Sequence, residues 1–66
     1  MAKEIKTHEE ILTRMRQRAS SNLKGVEFTD DDAEDVILLV MNNGYTYDEA
    51  IDMVLNGIAT CLDMNW

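Results

Sequence analysis

From Thr46 to Met64 the chain reads TYDEAIDMVLNGIATCLDM, and no other stretch constrains the fold as strongly. Placed on a helical wheel at about 100° per residue, Asp48, Glu49, Asp52, Asn56, Thr60 and Asp63 fall within an arc of about 120°. Almost everything else on the wheel is apolar: Tyr47, Ala50, Ile51, Met53, Val54, Leu55, Ile58, Cys61, Leu62 and Met64. A helix with so wide an apolar face has to be covered from more than one side, so the rest of the chain must supply the cover.

Two further helices are written upstream. Thr7-His8-Glu9-Glu10 forms a capping box, in which the threonine hydroxyl accepts from the Glu10 amide and the glutamate reaches back. Ile11, Leu12, Met15, Ala19 and Leu23 then make one narrow stripe, and Lys24 and Gly25 suit a C-terminus. A first helix is expected over about 8–24, with Ser20-Ser21-Asn22 weakening its last turn. Thr29 opens a second helix of about 30–42, whose first turn carries Asp30, Asp31 and Asp32 where unpaired amides favour negative charge. Phe28 stands at a hydrophobic-staple position. Ala33, Val36, Ile37, Val40 and Met41 share one face, and Leu38 and Leu39 fall outside it. The run from Val36 to Met41 also has the composition of a buried strand, but the cap and acidic turn before it decide for helix. Asn43 or Gly44 ends this helix in the left-handed conformation. Thr46-Tyr47-Asp48-Glu49 is a second capping box and starts the third helix, about 47–64. Asn56-Gly57 inside it marks a kink, a break into two short helices, or a place where another backbone approaches. The expected fold is therefore all-α: a small three-helix bundle forming one domain over residues 1–66, with residues 1–6 frayed.

A chain of 66 residues buries a small core and needs help from packing, self-association or a partner. Its one cysteine excludes an intramolecular disulfide, and His8 with Cys61 is too small a set for a structural zinc site. Cys61 sits on the apolar arc and is expected to be a small buried hydrophobe in a reducing, cytoplasmic setting. No apolar run is long enough to span a membrane, and the first residues lack the apolar core of a signal peptide. Charge is unevenly placed. The net charge is −7, all six basic residues lie in the first 24, and ten acidic residues but no basic one occupy the stretch from Gly25 to Trp66. Such a half repels phosphates and attracts a basic protein surface.

Catalytic constellations are poorly supported. His8 lies at an exposed helix start, and Cys61 on an apolar face disfavours its thiolate. No glycine-rich phosphate loop occurs. Asp30, Asp32 and Glu34 alternate like the start of a calcium loop, but Asp35 stands where the required glycine belongs, so an acidic helix start explains them better. No catalytic residue, metal ligand or cofactor is expected.

The segment Val40-Met41-Asn42-Asn43-Gly44-Tyr45-Thr46, followed by Glu49-Ala50-Ile51, resembles the first loop and second helix of ubiquitin-associated domains. That family carries a Met-Gly-Phe or Met-Gly-Tyr loop that contacts ubiquitin. Here Gly44 and Tyr45 match, Asn43 replaces the methionine, helix 1 would be extra, and the segment after Gly57 is short for the family's third helix. The resemblance covers about a third of the chain and is read as shared helix–turn–helix grammar, so no family is assigned.

Three functional readings follow. In the first, the chain is a small acidic protein-binding module or inhibitor that engages a basic surface of another protein, with nucleic-acid mimicry as its sharper form. Asp30, Asp31, Asp32, Glu34, Asp35, Asp48, Glu49 and Asp52 supply the charge, and Leu38, Leu39, Met53, Met64 and Trp66 the apolar anchors. Small acidic phage inhibitors and antitoxins resemble it in this general character. In the second, the same apolar residues form a homodimer of a regulatory or structural helical protein. The third and weakest is nucleic-acid binding through Arg14, Arg16 and Arg18, which spread around helix 1 with no aromatic residue among them.

Overall fold

The computed structural model describes residues 6–23 and 25–63, and within them the chain is a three-helix bundle: α1 (His8–Arg18), α2 (Asp30–Asn43) and α3 (Tyr47–Cys61). Each helix packs against the other two. Local chemistry sets the helix starts. Thr7 Oγ1 accepts from the Glu10 amide at 3.2 Å, and Glu10 Oε1 accepts from the Thr7 amide at 3.3 Å. The same exchange at Thr46 and Glu49 closes at 3.1 and 3.0 Å. At α2 the Asp32 carboxylate accepts from the Thr29 amide at 2.9 Å, while Asp30 and Asp31 share the first turn.

The helix ends differ from expectation in two places. α1 stops at Arg18 rather than at 24, because Ala19 turns to an extended conformation (ψ 137°) and a single 3-10 turn, Ser21–Leu23, follows. Ser20, Ser21 and Asn22 are poor helix formers, and the turn swings Leu23 into the core, where it is fully buried. Gly25 is consequently not the cap of this helix. α3 runs unbroken through Asn56-Gly57 and closes at Cys61, where Asp63 takes a left-handed φ of 54° and its amide bonds to the Thr60 carbonyl at 3.2 Å. Met64, Trp66 and residues 1–5 of the start expected to fray lie outside the described residues.

Between α2 and α3 the reversal depends on Gly44, which has φ 76° and ψ 14°. A side chain in that left-handed conformation costs about 1–2 kcal/mol. No other atom lies within 4 Å of a β-carbon placed there, so the strain is purely that of the backbone. Gly44→Ala is therefore expected to lower stability by about 1 kcal/mol, measurable by urea denaturation. An unchanged midpoint would show that the turn is not held in this conformation.

The core consists of Ile11, Met15, Ala19 and Leu23 from the first third, Phe28 from the connector, Ala33, Val36 and Val40 from α2, and Ala50, Ile51, Leu55 and Ala59 from α3. The alanines let the helix axes approach closely, and the larger side chains fill the centre. Phe28 is buried, as its staple position implies. Two partners cover only part of the wide apolar face of α3. Met53, Cys61 and Leu62 are exposed, as are Leu38 and Met41 on α2. Cys61 is thus not a buried hydrophobe, since neither α1 nor α2 covers its side of the last turn. Met41 likewise leaves the apolar face it shares with Val36 and Val40 by wheel position. Among the described residues no helix is long and apolar enough to cross a membrane.

Candidate protein-binding face

The charged groups sort into separate sets once the helices are packed. Arg14 and Arg18, four residues apart, share the side of α1 that faces α3. Arg14 donates from Nε to Asp48 Oδ1 at 2.9 Å and from Nη2 to Oδ2 at 3.1 Å. Arg18 makes the same fork on Asp52 at 2.8 and 2.6 Å, and its Nη1 lies 3.7 Å from Asp48 Oδ2. Two bidentate pairs therefore clamp α1 to α3. The Arg14 hydrogen bond holds the Asp48 carboxyl below its ordinary range, against a smaller opposing effect of desolvation.

Because the folded state lowers this pKa, Asp48 adds stability that is complete above the unfolded carboxyl value and disappears as pH falls through the folded one. The effect is small, since Asp48 is 43% exposed and solvent screens it. Acid titration followed by circular dichroism should show a loss of stability below the ordinary Asp range that Asp48→Asn abolishes. Parallel acid curves for the two proteins would contradict the assignment.

The remaining carboxylates have other placements. Asp30 and Glu34 face His8, with Nδ1 3.6 Å from Asp30 Oδ1 and Nε2 3.9 Å from Glu34 Oε1. Asp32 and Glu49 accept from their own helix caps. Asp31 is exposed on α2. Arg16, the third arginine of α1, is exposed and makes no ion pair among the described residues. Glu27, Asp31 and Asp35 also form no ion pair among the described residues.

One surface brings acidic and exposed apolar groups together. A shallow groove runs between α2 and α3, made of two hollows of about 480 and 400 Å³ that share Asp35 and Val54. No residue of α1 lines it. Leu39, Val54 and Ile58 are half-buried, pack on the core and form its floor. Leu38, Met53 and Leu62 stand along it, exposed by 53%, 44% and 50%. Glu27, Asp32 and Asp35 supply the acidic rim. Of the residues singled out from sequence, the structure brings Asp32, Asp35, Leu38, Leu39 and Met53 to this groove. It turns Asp30 and Glu34 toward His8, and Asp48 and Asp52 toward the arginines. Glu27, Gly57 and Leu62 line the groove without having been expected there. Leu62 carried a signal, its place on the apolar arc; Glu27 carried only its position between Val26 and Phe28. Among the described residues no cluster of three or more His, Cys, Asp or Glu is arranged to hold a metal ion. No protein-family profile, no curated protein and no solved structure matches this chain, so the functional reading rests on this face.

Proposed function

We propose that this chain is a non-enzymatic protein-binding module whose α2–α3 groove takes up a basic, partly apolar surface of another protein. The observation that carries the proposal is the meeting of exposed Leu38, Met53 and Leu62 with Glu27 and Asp35, carboxylates that form no ion pair among the described residues, on one groove. Contiguous apolar surface of this kind marks interaction sites, and methionine adapts to a partner's shape. Charge selects the partner. The stretch from Gly25 to Trp66 holds no basic residue, so a second copy would set carboxylates against carboxylates, whereas a basic surface is attracted. Phosphate binding by α1 is disfavoured because Arg14 and Arg18 are engaged by Asp48 and Asp52. Nucleic-acid mimicry is a narrower form of the same proposal, in which the partner's basic surface otherwise grips phosphates.

A fluorescently labelled peptide of about 18 residues, five helical turns of Leu and Lys in amphipathic order, is a direct probe. Anisotropy titration should give saturable binding that weakens as salt rises. The same peptide with Glu in place of Lys should not bind. Equal binding of the two peptides would contradict the charge argument. Light scattering on the free protein should give a monomer, and a stable dimer would favour the self-association reading.

A further inference from the structure

The groove contains a residue that the fold does not explain. Gly57 lies in the interior of α3 and is exposed along the groove. Glycine within a helix costs stability relative to alanine, through the entropy of its backbone. Its backbone does not require glycine, because Gly44 is the described glycine with positive φ. Packing within the chain does not require it either, since a β-carbon built at Gly57 meets nothing within 4 Å. The result is a bare stretch of α3 backbone, three residues after Val54 and four before Cys61 on the groove side, with Met53 before it and Leu62 after it. From Met53 to Leu62 α3 rises about 14 Å, two and a half helical turns. Two helices side by side present ridges and a valley, and a third helix fills such a valley by ridge-into-groove packing. Where one helix carries glycine, the axes come closer and an incoming side chain reaches the backbone.

Resting on the reading that this groove binds a basic partner, we propose that the partner's docking element is an amphipathic α-helix, basic along its flank, which lies between α2 and α3 and makes its closest approach over Gly57. The incoming apolar stripe covers Leu38, Met53 and Leu62, and its lysines or arginines meet Glu27 and Asp35. It completes the bundle as a fourth helix, and Gly57 is kept small by that contact rather than by the fold of the free chain.

The test uses the full chain and the same Leu/Lys peptide, with a scrambled peptide of identical composition that cannot segregate its leucines on one helical face. Gly57→Ala and Gly57→Leu should both raise the melting temperature of the free protein, since a β-carbon at this position meets nothing within 4 Å and both remove a glycine from a helix. Against that gain, Gly57→Leu should weaken peptide binding at least tenfold and Gly57→Ala by less. The peptide should gain helical circular dichroism on binding, and the scrambled peptide should bind at least tenfold more weakly. Unchanged affinity in Gly57→Leu, or equal binding of the scrambled peptide, overturns the proposal. The double reversal Glu27→Lys with Asp35→Lys separates the two levels. If it abolishes binding while Gly57→Leu does not, the groove is the site but no helix crosses closely at Gly57. If neither variant weakens binding, both the groove reading and this one fail.

Discussion

Leu55→Ala is expected to remove most or all of the stability of this protein. Leu55 is fully buried in the middle of α3, in a core whose largest fully buried members are Ile11, Met15, Leu23, Ile51, Leu55, Val36 and Val40. Truncating a buried leucine costs about 2–5 kcal/mol, the higher values where the surroundings cannot collapse into the space. Domains have roughly 0.05–0.15 kcal/mol of stability per residue, so a chain of 66 residues has little to lose. Ala19, Ala33, Ala50 and Ala59 already bring the helices close together, which leaves little slack for relaxation around a cavity. Thermal melting followed by circular dichroism should show a transition that is broad, shifted far down, or absent. A cooperative melt close to that of the parent protein would mean that α3 is not the centre of the bundle.

Leu38→Asp combined with Met53→Asp should do the opposite: leave the fold intact and weaken binding of the basic amphipathic peptide. About half of each side chain is solvated in the free protein, at 53% and 44% exposure, and neither belongs to the buried core, so replacing them disturbs the packing far less than a core truncation does. Surface changes away from special features usually alter stability by less than about 0.5 kcal/mol. At an interface the same residues act as anchors, and truncating a central anchor costs about 2 kcal/mol or more. The added carboxylates attract the peptide's lysines, so any loss of affinity has to come from the missing apolar contact. We expect a loss of at least tenfold, about 1.4 kcal/mol, with an unchanged melting temperature. Retained affinity would show that the peptide is held by charge alone.

What was legible in the sequence was local. Thr7 with Glu10, Thr46 with Glu49, and Gly44 act over three or four residues, and each sits where its spacing implies. The stripe of Ile11, Met15, Ala19 and Leu23 was legible for the same reason, although the backbone turns at Ala19 and Leu23 reaches the core from a 3-10 turn. What was not legible depended on how helices meet. Arg14 and Arg18 join Asp48 and Asp52 across 34 positions of sequence, and nothing in either segment alone identifies the other as its partner. The same packing divides the acidic residues: Asp48 and Asp52 are neutralised on the α1 side, and Asp35 faces open groove. Cys61 and Met41 lie on apolar arcs yet are exposed, because a wheel shows which residues share a face, but not how much of that face two neighbours can cover. Gly57 was visible as an anomaly, and only the space around it showed that the fold makes no use of it.

The most direct test of the α2–α3 groove as the binding face is a comparison of two charge-matched double variants. Glu27→Lys with Asp35→Lys reverses charge at the groove. Glu9→Lys with Glu34→Lys makes the same change in net charge on α1 and on the side of α2 that faces His8. Each is titrated against the labelled Leu/Lys peptide at one fixed, low ionic strength, where surface charge acts at longest range. A binding face located in the groove predicts that the first pair lowers affinity at least tenfold and the second by far less. Equal losses in the two variants would mean that only the overall negative charge attracts the peptide, and would contradict the assignment of this groove.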